Sequence, residues 1–204
     1  MNHLAHFFLS GDNEDLAIGN FVADFISNRE LPQFTEGVKQ GIMLHRKIDA
    51  FTDAHPIVKQ STKRLHPFHH KYSPVIVDIY YDFLLAKNWN KYADGDPAVW
   101  NDDLRSFVDK IYNLLTERHL DLPLKLRNRL PRMIADDWLM RYSTYEGLHR
   151  AFLMIEKHAA FPGNFGNAAT HLEMYLEEFD AEFNLFFPDL QRHVSEVIEI
   201  NEAL

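Results

Sequence analysis

The sequence predicts an all-α protein, a single-domain helical bundle over 1–204, on three observations. Apolar residues recur at three- and four-residue spacing along nearly the whole chain. Runs that alternate apolar and polar with a period of two are missing. The 8 glycines and 9 prolines fall mostly between the periodic segments. A 3.6-residue repeat puts the first pattern on one face of a helix, and a strand needs the second. A content of 46% hydrophobic residues in 204 is enough for one substantial core.

The elements follow in order. Leu4, Phe7 and Phe8 make a short first face. Asp12 or Asn13 caps a helix that buries Leu16, Phe21, Phe25 and Ile26 and ends at Asn28. Thr35, Val38, Ile42, Ile48 and Phe51 mark a third helix, which stops before Pro56. His55 to Lys71 reads as helix plus loop. Ser73-Pro74 reads as an N-cap with proline at the first helical position, and the helix behind it reaches about Trp89. Pro97 starts another helix, through Leu104, Val108, Ile111 and Leu115. Pro123 leads a short one that Pro131 interrupts. Trp138, Tyr142 and Tyr145 are helical or nearly so, and Glu146 to Ala159 is amphipathic. After the loop Pro162 to Gly166, residues 167–200 form a long helix or two, with the break expected at Pro188.

Composition excludes several classes. No cysteine is present, so disulfides, thiolate metal sites and cysteine nucleophiles are out. The N-terminus has no basic segment or small-residue cleavage site and meets acids at once, which argues for a cytoplasmic protein. No stretch is apolar enough to span a bilayer. A formal net charge of −9 argues against bulk nucleic acid or an anionic membrane as partner. The charge is uneven, however. No acid lies between Asp53 and Asp78, where Lys59, Lys63, Arg64 and Lys71 sit, and Leu122 to Ala135 is basic too. Either stretch is a solvated face or a docking surface for something anionic.

Three pairs spaced by four residues carry the chemistry: Asn20 with Asp24, His45 with Asp49, and Asp78 with Asp82. Such residues share a helix face. Asp24 and Asp78 lie among apolar neighbours, where a lone carboxylate needs a partner. Each pair alone is commoner as a local hydrogen bond than as a ligand set. Three pairs on three helices of the N-terminal half point to a cation. Carboxylates with imidazole suit Mg²⁺ or Mn²⁺, with Fe²⁺ or Zn²⁺ as further choices.

The order of motifs then becomes specific. MNHLAH at the start, GNFVADF at 19–25, GIMLHRKIDAFTD at 41–53, YSPVIVDIYYDFLLAKNW at 72–89 and WLMRY at 138–142 resemble the acyl carrier protein phosphodiesterase family, dense up to about Trp89. The resemblance implies an all-helical fold distantly related to HD-type metal phosphohydrolases. It implies hydrolysis of the diester between 4′-phosphopantetheine and a serine of holo-acyl carrier protein, with a divalent cation, typically Mn²⁺. It maps the metal onto Asp24, His45, Asp49 and Asp78, with His6 and Asp82 as second choices. Arg46 or Lys47 is then expected to stabilise phosphoryl charge. Asp82 or His6 would orient a ligand or handle protons, and His69 or His70 would protonate the departing serine. Lys59, Lys63, Arg64 and Lys71 are expected to contact the acidic carrier. Two rival functions remain at this point. One is a phosphohydrolase of nucleotides or small diesters, and the other is a non-catalytic regulator that binds the carrier or phosphopantetheine.

Overall fold

The structure is a computed structural model that describes residues 1–93, 103–159 and 164–202. Helices make up its ordered elements, and no strand occurs among the described residues. The N-terminal half contains α1 (His3–Phe8), α2 (Glu14–Val22), α3 (Glu36–Ala54), α4 (Pro56–His69), α5 (Ser73–Lys87) and α6 (Trp89–Ala93). After the undescribed residues 94–102 come α7 (Leu104–Glu117), α8 (Leu124–Arg127), α9 (Leu130–Ala135), α10 (Trp138–Arg141) and α11 (Tyr145–His158). The last two are α12 (Ala168–Met174) and α13 (Leu176–Glu202). The expected helix start at Pro97, and Pro162–Gly163 of the expected loop, lie outside the described residues. The buried apolar side chains join in one cluster that reaches from Met1 to Val197.

Local chemistry explains most boundaries. The Asn13 side chain accepts from the Leu16 N–H and Thr35 Oγ1 from the Val38 N–H, as caps do. Asp103 caps α7 in the same way. The interruption expected at Pro131 falls just before it, between α8 and α9, and Pro131 sits in the first turn of α9, where its missing N–H is spare.

Three boundaries differ from expectation. Ser73 is the first residue of α5 rather than its cap, and its hydroxyl donates to the His70 carbonyl. Helix α2 stops at Val22, so Asp24 lies in a 3₁₀ turn, 23–25, beyond it. The C-terminal break falls at Tyr175, and α13 continues through Pro188. An interior proline costs about 3 kcal/mol. Against that, Phe183, Phe186, Phe187 and Leu190 on either side of Pro188 are fully buried. Each such side chain is worth roughly 1.5–3 kcal/mol.

Helix α2 crosses α3 at close range. A Cβ on Gly19 would lie 2.2 Å from the Val38 carbonyl oxygen, and one on Gly41 would lie 2.6 Å from that of Leu16. Only two glycines allow the backbones to come this near, and the crossing brings the turn after Gly19 against the helix that carries His45. Tyr80 and Tyr81 are buried against Phe179 and Phe183 of α13 and belong to the core.

Candidate metal centre

Asn20 organises the centre. It is fully buried, and its side-chain nitrogen donates to Ser10 Oγ at 2.8 Å. Its Oδ1 is therefore left to accept, and it lies 3.1 Å from His6 Nδ1. Its main-chain oxygen lies 2.9 Å from His45 Nδ1. A carbonyl oxygen only accepts, so both histidines carry a proton on Nδ1. The two rings stack with centroids 4.0 Å apart, and both Nε2 atoms face Asp49. His6 Nε2 lies 3.2 Å from Asp49 Oδ1. His45 Nε2 lies 3.1 Å from Asp49 Oδ2 and 3.2 Å from Asp24 Oδ1.

His6 Nε2 is a buried atom without a hydrogen bond. With its proton committed at Nδ1, it turns a lone pair toward a carboxylate, and two electron-rich atoms in that position call for a cation. His6, His45 and Asp49 each offer one ligand atom within 4.8 Å of the others, the one such group of three among the described residues. Asp24 adds an oxygen at the edge through His45. Two imidazoles with two carboxylates suit Mn²⁺, Fe²⁺ or Zn²⁺. The Nδ1–H bonds to Asn20 are the outer contacts that fix the tautomer of a metal-binding histidine.

The stacked histidines titrate in opposite directions. Burial pushes His6 down to about 4, against the pull of the neighbouring Asp49 carboxylate. Burial also opposes charge on His45, but the hydrogen bonds to Asp24 and Asp49 outweigh it and raise His45 to about 9. Burial acts against Asp49 and Asp24 as well, yet His45 holds both below the usual carboxylate range.

The other expected residues divide. Asp78 stands one group away: the Met1 ammonium lies 3.1 Å from it and 3.4 Å from Asp49. Burial raises the Asp78 pKa in spite of that ammonium. Asp82, expected to orient a ligand or act catalytically, instead holds the start of α1. Its oxygens accept from the Leu4 and Ala5 N–H groups at 2.8 and 3.1 Å, and burial pushes it up to about 7. These bonds fix the helix that delivers His3 and His6. The Arg46 guanidinium donates to Asn28 at 2.6 Å rather than reaching the centre. Arg64, expected on the docking surface, is paired with Glu182 of α13, because a half-buried guanidinium takes the nearest buried carboxylate. His69 is buried and bonded to His171 at 2.8 Å. Lys59, Lys63 and Lys71 are exposed.

From the sequence His6 is only a second choice as ligand, Asn20 is half of a four-residue pair with Asp24 rather than the partner of both imidazoles, and the two glycines have no role. The signal was present in part: a polar residue directly after a glycine inside the apolar run IGNFV.

The profile of the family described as acyl carrier protein phosphodiesterase matches residues 1–190. The chain belongs to the acyl carrier protein phosphodiesterase family. Membership in this family makes it a hydrolase of phosphodiester bonds. Among the members it resembles, the acyl carrier protein phosphodiesterase of Pectobacterium atrosepticum is 26% identical over 94% of this chain and 96% of its own length. That of Photorhabdus laumondii is 28% identical over 92% of both chains. That of Escherichia coli is 23% identical over 96% of this chain and 98% of its own. No solved structure matches. No helix among the described residues is long and apolar enough to cross a membrane.

Proposed function

We propose that the chain hydrolyses the phosphodiester between 4′-phosphopantetheine and the serine of holo-acyl carrier protein, as a single cytoplasmic domain, with a divalent cation held by His6, His45, Asp49 and Asp24. Mn²⁺ is the first choice, ahead of Mg²⁺ and Fe²⁺, and Asp78 is a further ligand on the side of α5. The observation that carries the reading is the pair of stacked imidazoles. Both Nδ1 protons are committed to Asn20, and both Nε2 atoms are aimed at Asp49. Family membership supplies the substrate class.

When bound, such a cation polarises a phosphoryl oxygen and lowers the pKa of a water toward neutrality. The chain's own residues do the rest. Asn20 holds the imidazoles in one tautomer, and Asp82 fixes the first turn of α1. His45 would hold the cation through Nε2 and would have to release the proton it carries there. In the reaction the water oxygen forms a bond to phosphorus, the bond from phosphorus to the serine oxygen breaks, and that oxygen takes up a proton. The exposed Lys59, Lys63 and Lys71 offer the acidic carrier a place to dock that the net charge of −9 denies it elsewhere.

The deciding experiment is an intact-mass measurement of holo-carrier after incubation with the purified protein and Mn²⁺. Loss of the phosphopantetheine mass is expected, and His45→Ala abolishes it. Retention of that mass with every divalent ion overturns the proposal.

A further inference from the structure

A cleft of about 670 Å³ opens beside the metal centre, between the end of α3 and the facing sides of α4 and α5. Its lining has a helical register. From α4 come Val58, Thr62 and His66, four residues apart, with Lys59, Lys63 and Pro67 one position on. From α5 come Pro74 and Asp78, also four apart. The cleft is therefore a groove along the helices rather than a round pocket. The nine steps along α4 from Val58 to Pro67, at 1.5 Å each, give it a length of roughly 14 Å. Asp78 belongs to both places: it lines the groove, and through the Met1 ammonium it adjoins Asp49.

We infer that this groove binds the pantetheine arm of the substrate, an inference that rests on the phosphodiesterase reading. Size decides first. A helix of the carrier about 10 Å across and as long as the groove fills roughly 1,100 Å³, well above the space present. An extended chain fits, and the volume is in the usual range of about 300–1,000 Å³ for small-molecule sites. Chemistry decides next. Val58, Pro67 and Pro74 give apolar wall, and lysine stems cover such surface while their heads stay wet. Thr62, Lys59 and Lys63 bring hydroxyl and ammonium donors. An uncharged chain with two amides needs that mixture: methylene groups on the wall and carbonyls toward the donors. Continuity decides last. An arm whose phosphate sits at the centre passes Asp78 as it leaves, and the groove begins there.

The test is a titration of pantetheine, which lacks the phosphate, into the ¹⁵N-labelled protein. Amide shifts are expected in α4 and the first turns of α5. Thr62→Trp fills the groove from α4 and Pro74→Trp fills it from α5. Each is expected to weaken pantetheine binding and raise KM for holo-carrier by roughly tenfold, a step of about 1.4 kcal/mol. The inference is overturned if pantetheine leaves those amides unmoved. It is also overturned if it binds equally well to either variant when that variant melts like the wild type. The carrier-mass assay stands apart: retained phosphopantetheine mass rejects the phosphodiesterase reading, whereas the pantetheine titration rejects or supports the groove itself.

Discussion

Two carboxylate clusters in this molecule find partners in different ways. Glu182 on α13 is 4% exposed. Its oxygens accept from Gln60 at 2.7 Å, from Ser61 at 2.5 Å and from Arg64, while Tyr81 and Ser61 share a further bond at 2.8 Å. Donors match acceptors, and the result ties α4, α5 and α13 together. The His6–His45–Asp49–Asp24 centre has an excess of acceptors. The Asp49 and Asp24 carboxylates share the His45 Nε2 proton, Asp49 adds one contact with the Met1 ammonium, and the His6 lone pair faces Asp49 without a donor. A satisfied buried charge holds structure. An acceptor-rich cluster whose carboxylates reach solvent is prepared for a cation that comes and goes.

Substitutions test that contrast. Asp49→Ala is expected to abolish Mn²⁺ binding in calorimetry and cut carrier hydrolysis by on the order of 10³, about 4 kcal/mol, with a smaller change in the metal-free Tm. Glu182→Ala is expected to do the reverse. It strands Arg64 and costs about 3 kcal/mol of stability, read by denaturant melts, while the folded protein keeps its Mn²⁺ affinity. Loss of metal binding in folded Glu182→Ala would dissolve the distinction between the two places. Gly41→Ala is expected to cost about 1–3 kcal/mol by overpacking the α2–α3 crossing. It also shifts the Asn20 carbonyl from His45, so Mn²⁺ affinity falls together with Tm.

A pH series sharpens the same point. His45 is raised from 6.5 to about 9 by Asp24 and Asp49 against the effect of burial. The folded state therefore binds this proton more tightly than the unfolded chain. Without metal, that stabilisation is fully present below about pH 6.5 and is lost as pH rises through about 9. With Mn²⁺ the sign reverses, because metal and proton compete for Nε2, and affinity climbs over the same range. Melting curves with and without Mn²⁺ should diverge above neutrality. Identical curves would remove His45 from the ligand set. The smallest expected effect is that of Lys63→Glu, a few-fold rise in KM for the carrier at low salt with kcat nearly unchanged.

Much of this was legible in the sequence. The helical period placed nearly every element, and the Asn13 side chain caps α2 as expected, while Thr35, read only as part of the next helix's pattern, proves to be its cap. The His45–Asp49 pair needed only the four-residue repeat, since both lie on one helix. Other features depended on distance in space. His6 and His45 are 39 positions apart and meet only because two glycines let α2 press on α3. Asp82 looked like a twin of Asp78, but the start of α1 claims both its oxygens. Arg64 looked like its neighbour Lys63, but Glu182, 118 residues away, withdraws it from the surface.

The sequence by itself determined the all-helical class, the family, and the kinds of atoms available for a metal, because these rest on local periodicity and on motif order. The tertiary structure decided which of those atoms converge. Asn20 sets both imidazole tautomers, Asp82 becomes an anchor, and Asp78 stands between the centre and the groove. The physical reason is that a side chain's role follows from its partners, and partners on different helices are set by packing, which spacing along the chain does not encode.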